Sequence, residues 1–101
     1  MNDFLWLQEW YAGLCDGDWE HEYGIAIETL DNPGWSVIIH LNDTIYEDMP
    51  FEPVEENVSE SDWLFLKIEA GTFFGVGDEN KLLTIVSRFR SMIQDFEDSN
   101  G

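Results

Sequence analysis

Cys15, Asp16, Asp18, Glu20, His21 and Glu22 crowd one short stretch of this chain, and their types invite three kinds of chemistry. Thiol catalysis would rest on Cys15 alone. Asp16 stands beside it and no basic neighbour is there to favour the thiolate, so the spacing predicts a buried or half-buried structural cysteine. Metal binding would draw on the alternating acids with His21 and His40. A calcium loop, however, wants its glycine at the sixth position, and Gly17 comes too early. Two distant histidines make no zinc motif, and the expectation is no metal and no cofactor. Acid–base catalysis by paired carboxylates gains little support, because a chain with 22 acidic residues always contains pairs. Gly71, Gly75 and Gly77 do not have the spacing of a phosphate cradle and are not followed by Lys-Ser/Thr. Nothing in these residues specifies an enzyme.

The acids speak more clearly as a total. The 101 residues carry 22 Asp and Glu against 4 Lys and Arg, a net charge of −18, with 44% hydrophobic residues and five Trp. That apolar content argues for a folded chain. The charge disfavours nucleic acid and anionic membrane and favours a basic partner. A single cysteine allows no internal disulfide, the first residues lack the basic start of a signal peptide, and no apolar run nears the roughly 20 residues that span a bilayer. The expected location is the cytoplasm. Oligomeric state cannot be read from the sequence.

The elements that position these residues follow from periodicity. Asn2 or Asp3 caps a first helix with Phe4, Leu7, Trp10, Tyr11 and Leu14 on its apolar stripe and Trp6 on the flank, weakening at Gly13 and ending by Gly17. Alternation at Tyr23, Ile25, Ile27 and Thr29, and again at Trp35, Val37, Ile39 and Leu41, predicts two paired strands. Asn32-Pro33-Gly34-Trp35 between them suits a type II turn, with Gly34 supplying a positive φ. Pro50, Pro53 and many acids make residues 45–58 an irregular segment with an edge strand over 51–58, where the charges discourage sheet-to-sheet aggregation. Trp63 to Glu69 and Thr72 to Val76 read as two further strands joined at Ala70-Gly71. A closing helix over 79–95 carries Leu82, Ile85, Val86, Phe89, Met92, Ile93 and Phe96, with Arg88 and Arg90 in its C-terminal half. The fold expected is α+β: one domain over 1–101, an antiparallel β-meander of about five strands, and an N-terminal and a C-terminal helix packed on one face.

With both helices on one side, Ile38, His40, Trp63, Phe65 and Lys67 fall on the other, an apolar-aromatic patch rimmed by acids. Two acidic stretches compete as a binding surface. One is the edge carrying Glu47, Asp48, Glu52, Glu55, Glu56, Glu60 and Asp62, with Trp63 and Phe65 as apolar anchors beside it. The other is the loop with Asp16, Asp18 and Glu20, whose acids could equally satisfy backbone donors while Trp19 packs under the hairpin. A specificity surface tolerates change better than a core does, which favours the edge, itself poor in core residues.

Three stretches carry a resemblance: Trp6-Leu7-Gln8-Glu9-Trp10-Tyr11, Cys15-Asp16-Gly17-Asp18-Trp19-Glu20-His21-Glu22-Tyr23-Gly24-Ile25, and Thr29-Leu30-Asp31-Asn32-Pro33-Gly34-Trp35. Continued by Asp62-Trp63, the glycine turn and the closing helix, they resemble the immunity protein 53 family of bacterial polymorphic toxin systems. Residues 45–60 depart most from that pattern. The resemblance implies a small cytoplasmic protein, not an enzyme, that binds and neutralises a cognate toxin domain. A nuclease toxin, with a basic substrate channel, would suit the charge. The alternative is an acidic nucleic-acid mimic that blocks some other basic DNA-binding protein.

Overall fold

The side chain of Asn2 accepts a hydrogen bond from the Leu5 N–H at 2.7 Å and starts helix α1, Asp3–Leu14, which ends where the expected weakening at Gly13 placed it. In the computed structural model, which describes residues 2–100, α1 is followed by a one-turn helix α2 (Trp19–Glu22). Strands β1 (Ile25–Leu30), β2 (Gly34–His40), β3 (Val54–Ser59), β4 (Asp62–Glu69) and β5 (Thr72–Gly77) come next, and helix α3 (Leu82–Asn100) closes the chain. The fold is α+β, a five-stranded antiparallel sheet with an N-terminal and a C-terminal helix, as the periodicities imply.

The strand order is β1-β2-β5-β4-β3. β3, β4 and β5 meander in sequence, and β2 brings its hairpin partner β1 against β5. The chain from 41 to 53 therefore crosses from the middle of the sheet to its far edge, and both β1 and β3 are edge strands. Alternation of burial is kept in the inner strands β2, β4 and β5: Val37, Ile39, Leu64, Leu66 and Phe73 face the helices and are essentially sealed from water. Against them α3 lays Ile85, Val86, Phe89 and Ile93, all fully buried, as the helical stripe requires.

Several expectations are corrected. In α1, Leu7 is buried with Trp6 and Trp10 packed on the core, while Phe4 is 44% exposed, so the stripe is rotated toward Trp6. Phe89 draws both indoles inward, with ring centroids 6.1 and 5.1 Å away. The type II turn is absent: Gly34 pairs with Leu30 and has no positive φ. Glycine is needed there for close approach, since a Cβ would lie 2.5 Å from the Gly77 carbonyl oxygen. The crossing segment is not poor in core residues. Tyr46 and Met49 are both buried, and the Tyr46 hydroxyl donates to Glu97 on α3 at 2.6 Å. Because α3 continues to Asn100, Arg88 and Arg90 do not sit at its end. They tie neighbouring elements instead, Arg88 to Glu56 and Arg90 to Asp3, each at 3.0 Å.

Candidate protein-binding surface

Both helices lie on one face, so the side chains of opposite parity form an open sheet face. Cross-strand register sets them in rows: Ala26, Ile38, Phe74 and Lys67 in one, and Glu28, Ser36, Val76, Phe65 and Glu55 in the next. Ile38, Phe65, Phe74 and Val76 on this face are half-buried. Lys67 lies over the Phe74 ring at 5.4 Å and donates to Glu69 at 2.6 Å, which holds the Glu69 carboxyl below its ordinary range. Among the described residues, the Lys or Arg on this face is thus already engaged. Trp63 extends the patch at the β4 end, and His40 lies at the other end of β2, beside Tyr23.

The proposed site residues divide. Glu55, Trp63 and Phe65 come together, because Glu55 pairs with Phe65 across β3 and β4 and Trp63 follows two residues along. Glu47, Asp48, Glu52 and Glu60 are exposed around the crossing segment and the β3–β4 turn. Glu56 and Asp62 are turned to internal use: Glu56 accepts from Arg88 on the helix side, and Asp62 takes the Lys81 ammonium at 2.7 Å.

Lys81 also reaches Asp78 at 2.6 Å, and Asp78, 1% exposed, is the buried node of this end of the sheet. Its carboxylate accepts the Trp63 N–H at 2.9 Å and the Asn80 N–H at 2.8 Å. The Lys81 ammonium, with those two amides, lowers its pKa to about 2. The Trp35 indole adds a tie by donating to the Glu79 carbonyl at 3.0 Å. These bonds fix where Trp63 stands on the open face.

Asp16, Asp18 and Glu20 build a local turn. The Asp16 carboxylate accepts from the Asp18 and Trp19 N–H groups at 2.9 and 3.0 Å, and Glu20 accepts from Asp16 and Gly17 at 3.0 and 2.8 Å. The bonds from Trp19 and Asp18 hold the Asp16 carboxyl below its usual range. The turn starts α2 and seats Trp19, 6% exposed, whose indole donates to the Asn42 carbonyl at 2.9 Å. The Asn42 side chain in turn donates to the Ala70 carbonyl at 3.0 Å, so the loop, the end of β2 and the β4–β5 turn are held as one piece. Strand and helix periodicity carries no sign of this hub, which joins residues up to 28 positions apart. Cys15 corrects another expectation: it is exposed, with its thiol directed at the Tyr11 carbonyl at 3.4 Å. The helix ends one residue before it, which leaves the side chain outside the packed layer.

The surface can therefore do what an interface does, presenting fixed aromatic and aliphatic side chains inside a border of acids. No curated protein and no solved structure matches the chain. The sequence model of a family described as immunity protein 53 matches residues 4–94. The match spans all five strands and the fully buried residues of α3, and the chain belongs to the immunity protein 53 family.

Proposed function

We propose that this protein neutralises a cognate toxin domain in the cytoplasm by masking a basic functional surface, such as the substrate channel of a nuclease. Family membership supports the immunity role. The observation that carries the rest is the allocation of charge. Lys67, Lys81, Arg88 and Arg90, all the Lys and Arg the chain has, are paired with its own acids. The surplus of −18 is offered outward almost unopposed. Such a field speeds encounter with a basic protein and repels the nucleic acid that protein would otherwise hold.

In this reading Trp63 and Phe65, with Phe74 and Val76 beside them, are the apolar anchors on the open face. Glu47, Asp48, Glu52, Glu55 and Glu60 form the steering rim. Glu56, Asp62, Asp16 and Glu20 serve chiefly to hold the fold, and Asp18 lies outside the contact. The test is binding kinetics at two salt concentrations against the toxin domain encoded beside this chain in its source genome. Glu52→Lys, Glu55→Lys and Glu60→Lys together should slow association and flatten its salt dependence, whereas Trp63→Ala should mainly speed dissociation. Absence of any complex with the unaltered protein would overturn the immunity role. Unchanged rates in both folded variants would move the interface off this face.

A further inference from the structure

The two edges of the sheet are not equally defended. β3 is preceded by Pro53, carries Glu55 and Glu56, and is broken by a bulge between Asn57 and Ser59. These are the devices that stop another strand from pairing. β1, Ile-Ala-Ile-Glu-Thr-Leu, has no proline, no bulge in its register and one charge, Glu28.

The backbone of β1 is ordered for pairing outward. The His40 N–H donates to the Gly24 carbonyl, and the Leu41 N–H donates to the Gly71 carbonyl. Even-numbered residues of β2 therefore bond β1 and odd-numbered ones bond β5. In an antiparallel ladder the two directions alternate along a strand. It follows that Ala26, Glu28 and Leu30 spend their amides on β2, while Ile25, Ile27 and Thr29 aim N–H and C=O away from the sheet. Among the described residues, no hydrogen bond from another element meets that row.

Beside it, α1 and the start of β1 enclose a groove of about 350 Å³ lined by Phe4, Leu7, Gln8, Tyr11, Gly24 and Ile25. Ile27, 39% exposed, continues its apolar floor along the strand. On the opposite side of β1 the exposed acid is Glu28, and Glu22 and Asp31 flank the strand.

We propose that the outer edge of β1 receives an extended segment of the basic toxin as a sixth strand of the sheet. Its side chains alternate, apolar ones toward the groove and Lys or Arg toward Glu28, Glu22 and Asp31. Main-chain hydrogen bonds to Ile25, Ile27 and Thr29 supply the attachment, and the alternation supplies the choice of segment. Charge selects this occupant over a second copy, which would set the same acids face to face and bring −18 against −18. The inference rests on the immunity reading and gives it a mode of engagement. From β1 to β3 the sheet is about 19 Å wide. An ordinary interface of about 800 Å² per partner reaches across that span, so one domain can meet both the added edge and the open face.

Amide exchange on the unaltered protein, alone and saturated with the neighbour-encoded toxin domain, is the first test. The amides of Ile25, Ile27 and Thr29 should exchange freely in the free protein and slow by at least about tenfold in the complex. Those of Ala26 and Glu28, protected by β2 already, should change little. The second test compares Ile27→Pro, which removes an outward donor, with Ile27→Thr, which keeps the donor and the β-branch. Proline at an outward edge position leaves the β1–β2 ladder bonded. It should weaken binding by about tenfold or more through the lost bond and the ring in the partner strand's path. Ile27→Thr should retain binding within a few-fold. No complex at all defeats the immunity reading and this one together. A complex that leaves the Ile25, Ile27 and Thr29 amides exchanging as before, or that forms equally well with folded Ile27→Pro, defeats strand addition alone.

Discussion

Gly75→Ala is the smallest change that tests how the helical layer is seated on the sheet. Gly75 lies at the centre of β5, between Val37 of β2 and Leu66 of β4, and its missing side chain would point at α3. A Cβ there would lie 2.5 Å from Ile85 Cγ2 and 3.2 Å from both Leu66 Cδ2 and Phe73 Cε2. Ile85, Leu66 and Phe73 are all at most 1% exposed, so none can swing into solvent. Overpacking of this kind costs about 1–3 kcal/mol. Against it stands a gain of about 0.4–1 kcal/mol, because alanine restricts the unfolded chain more than glycine does. The clash wins, and the net loss of about 1–2 kcal/mol corresponds to a fall in Tm of roughly 5–15 °C for a domain of this size.

A double-mutant cycle identifies the cause. Ile85→Ala removes Cγ2 and by itself costs about 2–5 kcal/mol as a cavity. If Gly75 is there to admit Ile85, then Gly75→Ala in the Ile85→Ala background should be nearly neutral or stabilising, a coupling of about 1 kcal/mol or more. Urea and thermal unfolding of the four proteins measure it. A neutral or stabilising Gly75→Ala in the unaltered chain would refute the close-approach reasoning, and so would strict additivity with Ile85→Ala.

Two further outcomes follow from the polar nodes. Asp78 is held to a pKa of about 2 by Lys81 and two amides, below its ordinary 3.8, so its contribution is complete above the ordinary value and is lost as pH falls through the folded one. Asp78→Asn should lower Tm at pH 7 and shrink the acid-induced loss between about pH 4 and pH 2; a loss that keeps its full size in the variant would assign it to other carboxylates. Asp16→Ala, which removes the acceptor for the Asp18 and Trp19 amides, should lower Tm and loosen the Trp19 indole, seen as red-shifted emission, while Asp16→Asn should largely preserve both. Equal effects of the two variants would show that charge, rather than the acceptor, matters at this turn.

Strand and helix content was legible wherever one face of an element is buried and the other is not. Val37, Ile39, Leu64 and Leu66 alternate with half-open neighbours, and α3 repeats its apolar residues at helical spacing. What escaped depends on distant partners. Trp6 outranks Phe4 in α1 because Phe89 waits beneath it, a relation with no local signature. Tyr46 and Met49 looked like residues of an acidic loop and are buried because that loop crosses the molecule to reach the far edge. Gly34 carried a turn signal, yet its requirement comes from the Gly77 carbonyl on another strand. The open face was legible for the same reason as the core, by parity. The division of the acids between fold and surface was not, since the pairings of Glu56 with Arg88 and of Asp62 with Lys81 join residues far apart in sequence.

That division explains how so acidic a chain remains folded and, under the proposed function, still presents its charge to a basic partner. Self-repulsion at −18 works against the compact state, and four cations cannot neutralise 22 acids. Three of them join residues distant in sequence, Arg90 holding α3 to Asp3 of α1, Arg88 holding α3 to β3 and Lys81 joining Asp62 to Asp78, while Lys67 pairs with Glu69 on its own strand and covers Phe74 of β5. Amides take over where cations are lacking, as at Asp16 and Glu20. The acids left unmatched crowd the crossing segment, the β3 edge and the turns. There they are solvated, and repulsion among them is screened over about 8 Å at physiological salt. Association with the basic surface proposed above would relieve that repulsion and add attraction, so the charge that weakens the free fold would strengthen such a complex. Stability of this chain should therefore rise with salt, measured by thermal unfolding, while association with the toxin partner proposed above should slow.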